Sequence, residues 1–128
     1  MRKRIEILII DDEPSVADAL RLILEEHGYA AVAVATAAHG LKQAGERQWD
    51  VVITDLRLPD MTGFDVLTQI RQDHPFGPVV IVISAYVTPQ LIAEAMRLGA
   101  VDVLPKPFSP STLLSAIQGA LSRRCAIG

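Results

Sequence analysis

Ile7-Leu-Ile-Ile-Asp-Asp-Glu-Pro14 decides the fold class. Four apolar residues run unbroken, stop at three acids, and are followed by a proline placed to open a helix. A run without polar alternation suits a strand covered on both faces, as in a parallel sheet flanked by helices. Val51-Val-Ile53 and Val79-Val-Ile-Val-Ile83 have the same character. Between these runs the spacing turns helical. Val16, Leu20, Ile23 and Leu24 share a face from about Pro14 to His27, and Gly28 is placed to end that helix.

The same grammar repeats to the end of the chain. Thr88 caps and Pro89 opens one helix, which Gly99 closes. Ser109-Pro110 opens the last, with Leu113, Leu114, Ile117 and Leu121 on one face. Helices near 37–47 and 63–72 complete the set, the former carrying two glycines that lower its helix propensity. Ala31-Val-Ala-Val-Ala35 alternates small with large, and Val101–Leu104 runs into Pro105, so these two strands belong at the sheet edges. Right-handed crossovers then predict an α/β fold, a doubly wound five-stranded parallel sheet of order 2-1-3-4-5. The expected strands lie near 5–11, 31–35, 51–55, 79–84 and 101–105, and the helices near 14–27, 37–47, 63–72, 89–98 and 110–123. With no repeat, linker or low-complexity tract, residues 1–128 read as a single domain.

Composition narrows the class. The chain has 128 residues, half of them apolar, and a formal charge of −3. That balance argues against direct nucleic-acid binding and against an anionic membrane surface. Arg2-Lys3-Arg4 and Arg123-Arg124 read as solvated ends. One cysteine, Cys125, cannot form an internal disulfide, which suits a reducing cytoplasm. No apolar stretch approaches the ~20 residues that span a bilayer, and the early stop at Asp11 excludes a signal-peptide core.

In such a sheet ligands bind beyond the carboxyl ends of the strands, where the winding reverses. Four strand ends bring polar groups there: Asp11 and Asp12, Asp55, Ser84, and Lys106. Three carboxylates on a low-dielectric rim repel one another, and a hard cation relieves the conflict. Mg²⁺ prefers few carboxylates, retained waters and phosphate oxygens, and Mn²⁺ would serve similarly. Asp11, Asp12, Asp55 and the backbone carbonyl of Arg57 form the candidate metal site. Asp55 can then act as a carboxylate nucleophile toward phosphorus, giving an aspartyl phosphate, with Ser84 and Lys106 on the other phosphoryl oxygens. Three carboxylates, a divalent cation and a lysine sum to neutrality, and small Ala85 leaves a path for a donor.

Each residue also has a plainer reading. Asp11 and Asp12 could cap the first helix, Ser84 could satisfy a turn, and Lys106 alone could be a surface lysine. His27, His39 and His74 fall away from the rim. No dinucleotide or nucleotide-triphosphate glycine motif is present, nor a Gly-x-Ser-x-Gly elbow.

At these positions the chain resembles the receiver domain of two-component response regulators. The matching stretches are Ile9-Ile-Asp-Asp-Glu-Pro14, Thr54-Asp-Leu-Arg-Leu-Pro-Asp-Met-Thr-Gly63, Ile83-Ser-Ala85 and Gly99-Ala-Val-Asp-Val-Leu-Pro-Lys-Pro-Phe108. The resemblance implies a flavodoxin-like (βα)5 fold, Mg²⁺ dependence, and phosphoryl transfer to Asp55 from a sensor histidine kinase or phosphotransfer protein. It implies a cis peptide between Lys106 and Pro107, and a Ser84 hydroxyl that moves toward the phosphoryl group. It further implies a switching face, built of the fourth helix, fifth strand and fifth helix, for an output partner or a second copy. Such a protein catalyses only its own phosphorylation and dephosphorylation, either free-standing or as part of a longer regulator. Val103 departs from the family, which usually has an aromatic residue or histidine there, and Tyr86 is the residue placed to take over part of that role. Two rivals are weighed against this reading. A degenerate receiver serving as an unphosphorylated binding module rests on Val103 alone. A haloacid-dehalogenase-like phosphatase would need a second aspartate where Arg57 stands.

Overall fold

The computed structural model describes residues 4–127, with side chains through Arg123. Arg2 and Lys3, and the side chains of Arg124 and Cys125, lie outside the described residues. Five strands alternate with five helices: β1 (Glu6–Ile10), α1 (Pro14–Glu26), β2 (Ala30–Val34), α2 (Ala37–Glu46), β3 (Val51–Asp55), α3 (Gly63–Asp73), β4 (Val79–Ser84), α4 (Pro89–Arg97), β5 (Asp102–Pro105) and α5 (Pro110–Ile127). The strands are all parallel, in the order β2-β1-β3-β4-β5.

The pleat divides each apolar run between two cores. Ile7 and Ile9 face one way with Val51, Ile53, Ile81 and Ile83, and meet Leu20 and Leu24 of α1 and Leu113 and Ile117 of α5. Leu8 and Ile10 face the other way with Val52, Val80 and Val82, against α2, α3 and Ala95 of α4. Every residue of β3 and β4 is buried, so neither strand could carry a polar stripe. Full burial of each such aliphatic side chain contributes about 1.5–3 kcal/mol.

Local chemistry sets the helix ends. The Thr88 hydroxyl accepts the Leu91 amide, and Ser109 Oγ accepts that of Thr112. Thr62 and Asp65 form a reciprocal capping box on α3. Gly28 and Gly99, at φ of 88° and 107°, close α1 and α4 in the left-handed conformation. The α1 N-cap residue is Glu13, which makes no side-chain cap bond. Asp11 Oδ1 instead accepts the Glu13 amide at 2.9 Å, and Asp12 is exposed. Simple capping therefore accounts for only one oxygen of the acidic pair.

The two glycines of α2 differ in kind. A Cβ on Gly40 would lie 2.3 Å from Ile10 Cδ1, whereas one on Gly45 would meet nothing within 4 Å. Close approach of α2 to β1 thus requires Gly40, and Gly45 only weakens the helix. Gly40→Ala is expected to destabilise the fold by about 1–3 kcal/mol through overpacking. Gly45→Ala should stabilise it by about 0.5–1 kcal/mol. Urea midpoints of the two variants should move in opposite directions; equal shifts would contradict this account of α2.

Candidate functional site

In-register pairing of Ile10 with Thr54, Asp55 with Ile83, and Ser84 with Pro105 brings the strand ends out level on one rim. Carboxylate oxygens of Asp11, Asp12 and Asp55 all lie within 4.8 Å of one another. Asp11 and Asp55 are buried, and Asp12 stands at the mouth. Lys106 reaches over them from the β5–α5 loop, where the Lys106–Pro107 peptide is cis. Its Nζ donates to Asp55 Oδ2 at 2.9 Å and lies 3.1 Å from Asp11 Oδ2. Backbone groups fix both ends of this reach: the Lys106 amide donates to Ser84 O at 2.8 Å, and that of Arg57 to Asp55 Oδ1 at 3.2 Å.

The third contact of Lys106 was not among the residues expected from sequence. Glu13 Oε1 sits 3.3 Å from Nζ. It adds a fourth carboxylate, which the expected neutrality left out. The signal was present as the third acid of Asp11-Asp12-Glu13, but spacing alone could not show that this side chain turns toward the rim.

Electrostatics follow from burial. Desolvation pushes the Asp11 carboxyl above its ordinary value, against the Glu13 amide and Lys106, which favour its charge. Burial lowers the Lys106 pKa, but the hydrogen bond to Asp55 and the negative charges of Asp11 and Asp55 outweigh it, and the ammonium stays protonated well beyond the usual lysine range. Asp11 Oδ2 is sealed from solvent and lacks a well-aligned hydrogen bond; Lys106 offers it only charge. A buried anionic oxygen without a donor, beside two more carboxylates, is a donor set that fits a hard divalent cation. No histidine joins the acidic group among the described residues.

Ser84 is buried on the rim, yet its hydroxyl serves its own loop. Oγ donates to Tyr86 O at 2.9 Å and accepts the Tyr86 amide at 3.2 Å. The turn reading thus describes the hydroxyl as it stands. Tyr86 is 75% exposed, and Val103 is half-buried beside Val82. The β3–α3 loop is held tightly beneath Asp55: a Cβ on Gly63 would lie 2.5 Å from the Asp55 carbonyl oxygen. An apolar groove of about 520 Å³ opens beside Lys106, lined in part by Val16, Ala19, Ile23, Ala85 and Phe108. No helix among the described residues is long and apolar enough to cross a membrane.

Comparison with known proteins agrees with this geometry. The response regulator receiver domain family matches residues 7–118. The transcriptional regulatory protein KdpE of Mycobacterium tuberculosis is 40% identical over 94% of the chain. The alginate biosynthesis transcriptional regulatory protein AlgB of Pseudomonas aeruginosa is also 40% identical, over 95%. The chain spans 52% of the first relative and 27% of the second. A receiver domain structure from Methanospirillum hungatei superposes with a TM-score of 0.92 at 28% identity, covering 98% of this chain and all of that one. The beryllofluoride-activated NtrC4 receiver domain dimer gives 0.88 at 32% identity, covering 93% of this chain and 98% of that one.

Proposed function

The chain belongs to the response regulator receiver family, and from that premise we propose that Asp55 is its phosphoacceptor, with Lys106 and Ser84 as the residues that handle the phosphoryl group. Receivers are phosphoacceptors of two-component signalling, and this one is a switch, not an enzyme acting on outside substrates. The observation that carries the residue assignment is the buried Asp55 carboxylate, one oxygen paired with Lys106 at 2.9 Å and the group flanked by Asp11 and Asp12.

In the proposed step, an Asp55 oxygen forms a bond to phosphorus as the phosphorus–nitrogen bond of a kinase or phosphotransfer-protein phosphohistidine breaks. The histidine nitrogen leaves with that bond's electron pair. Lys106 moves from pairing a carboxylate to pairing a phosphoryl oxygen without losing its proton. Asp11, Asp12, Asp55 and the Arg57 carbonyl would hold Mg²⁺ or Mn²⁺, which supplies charge neutralisation at the phosphoryl oxygens. The apolar groove beside Lys106, open past Ala85, is where a donor helix would dock.

The Ser84 hydroxyl would then leave the Tyr86 carbonyl for a phosphoryl oxygen, drawing the 84–88 loop inward and shifting the α4–β5–α5 face between two populations. With Val103 in place of an aromatic residue, that loop and Tyr86 would carry the switch. The same face would pair a second copy, as the NtrC4 receiver forms a dimer, or meet an output partner. Residues 1–128 would act as one receiver domain, working in the cytoplasm beside its kinase. Incubation with acetyl phosphate and Mg²⁺ tests the reading: intact mass should rise by one phosphoryl group, at Asp55. No uptake would favour the unphosphorylated binding module, and turnover of added phosphate esters would favour the phosphatase.

A further inference from the structure

Asp60 lies on the exposed β3–α3 loop, three residues beyond Arg57, and its carboxylate is fully committed elsewhere. Oδ1 accepts the Ala37 amide and Oδ2 the Ala38 amide, each at 2.9 Å. These are the first two donors of α2, which its own cap does not reach, since Thr36 Oγ1 takes the His39 amide. A residue 23 positions away thus completes the cap, with its charge at the positive end of the helix. The two amides, Ala38 first, hold the Asp60 carboxyl below the usual range.

The loop is otherwise pinned on its α3 side and beneath Asp55. The Gly63 amide donates to Leu56 O at 2.7 Å, Arg57 bridges to Thr62, and Thr62 caps α3. We propose that Asp60 is a positioning residue for the phosphoacceptor site, tying the Arg57 segment to the first turn of α2 and so fixing the backbone that faces the acidic pocket. This rests on the reading that the Arg57 carbonyl joins Asp11, Asp12 and Asp55 around a divalent cation. It extends the site to a helix that contributes none of the metal or phosphoryl groups.

The test compares Asp60→Ala, Asp60→Asn and Thr36→Ala in the full chain, by Mg²⁺ titration followed through backbone amide NMR shifts. Asp60→Ala should weaken Mg²⁺ binding by about tenfold, the scale on which outer-shell partners act. Asp60→Asn, which keeps one acceptor oxygen, should fall between. Thr36→Ala loosens the same helix end without touching the loop, and should leave Mg²⁺ affinity nearly unchanged. Equal weakening by Asp60→Ala and Thr36→Ala would overturn the proposal, because loosening of α2 alone would explain both. Saturable wild-type binding with an unchanged Asp60→Ala constant would overturn it while leaving the metal site intact. Failure of wild-type protein to bind Mg²⁺ would overturn both the proposal and the reading beneath it.

Discussion

Asp55→Asn is expected to abolish phosphoryl uptake from acetyl phosphate while leaving the fold in place. The amide oxygen can still accept the Arg57 amide, now made to Oδ1 at 3.2 Å. What would be lost is the anionic oxygen proposed to attack phosphorus, and an amide is no substitute because its lone pair is delocalised. Intact mass after incubation with acetyl phosphate and Mg²⁺ should show one added phosphoryl group on wild-type protein and none on the variant. Persistent labelling of Asp55→Asn would move the acceptor to another residue, and the assignment would fall.

Lys106→Ala should have the largest effect on stability. The ammonium pairs two buried carboxylates, Asp11 and Asp55, so its removal leaves both without a cation. Breaking a buried ion pair from one side costs about 3–5 kcal/mol, and the lower end applies here because the pocket opens to solvent beside Asp12. Both pKa shifts give the sign with pH. The folded pKa of Lys106 lies above its ordinary 10.5, so its stabilising contribution is complete below that value and is lost as pH rises through the shifted pKa. The folded pKa of Asp11 lies above its ordinary 3.8, so ionised Asp11 costs stability, and the cost is relieved as pH falls through the shifted pKa. Mild acid should therefore recover part of the loss in the variant. Mg²⁺ should stabilise Lys106→Ala more than wild type, since the cation meets the same carboxylates without a competing ammonium. Urea denaturation with and without Mg²⁺ checks this; equal Mg²⁺ increments in the two proteins would refute the competition.

Much of the acidic site was legible because its residues sit at fixed places in the pattern. Asp11 ends one buried run and Asp55 another, and parallel strands of matched length bring those ends to one rim. Of three further contacts, the Ser84 turn was one of two readings the sequence offered, and those of Glu13 and Asp60 were not legible. Glu13 turns toward Lys106 through a side-chain rotamer, which spacing does not specify. Ser84 bonds its own loop, because a hydroxyl at a strand end is offered backbone partners two residues away. Asp60 caps a helix 23 residues earlier in the chain, a pairing that exists only once α2 and the loop lie side by side.

Periodicity and punctuation along the chain determined the number, type and order of the elements, and through the right-handed crossover the order of the strands. These are local or near-local properties: side-chain alternation, caps, and the handedness of the connection. Tertiary structure alone decided which carboxylate faces which, why α2 carries a glycine at position 40 against Ile10, and that Lys106 answers to three acids. Those facts depend on distances between segments far apart in sequence, and such distances are set only when both cores close around the sheet.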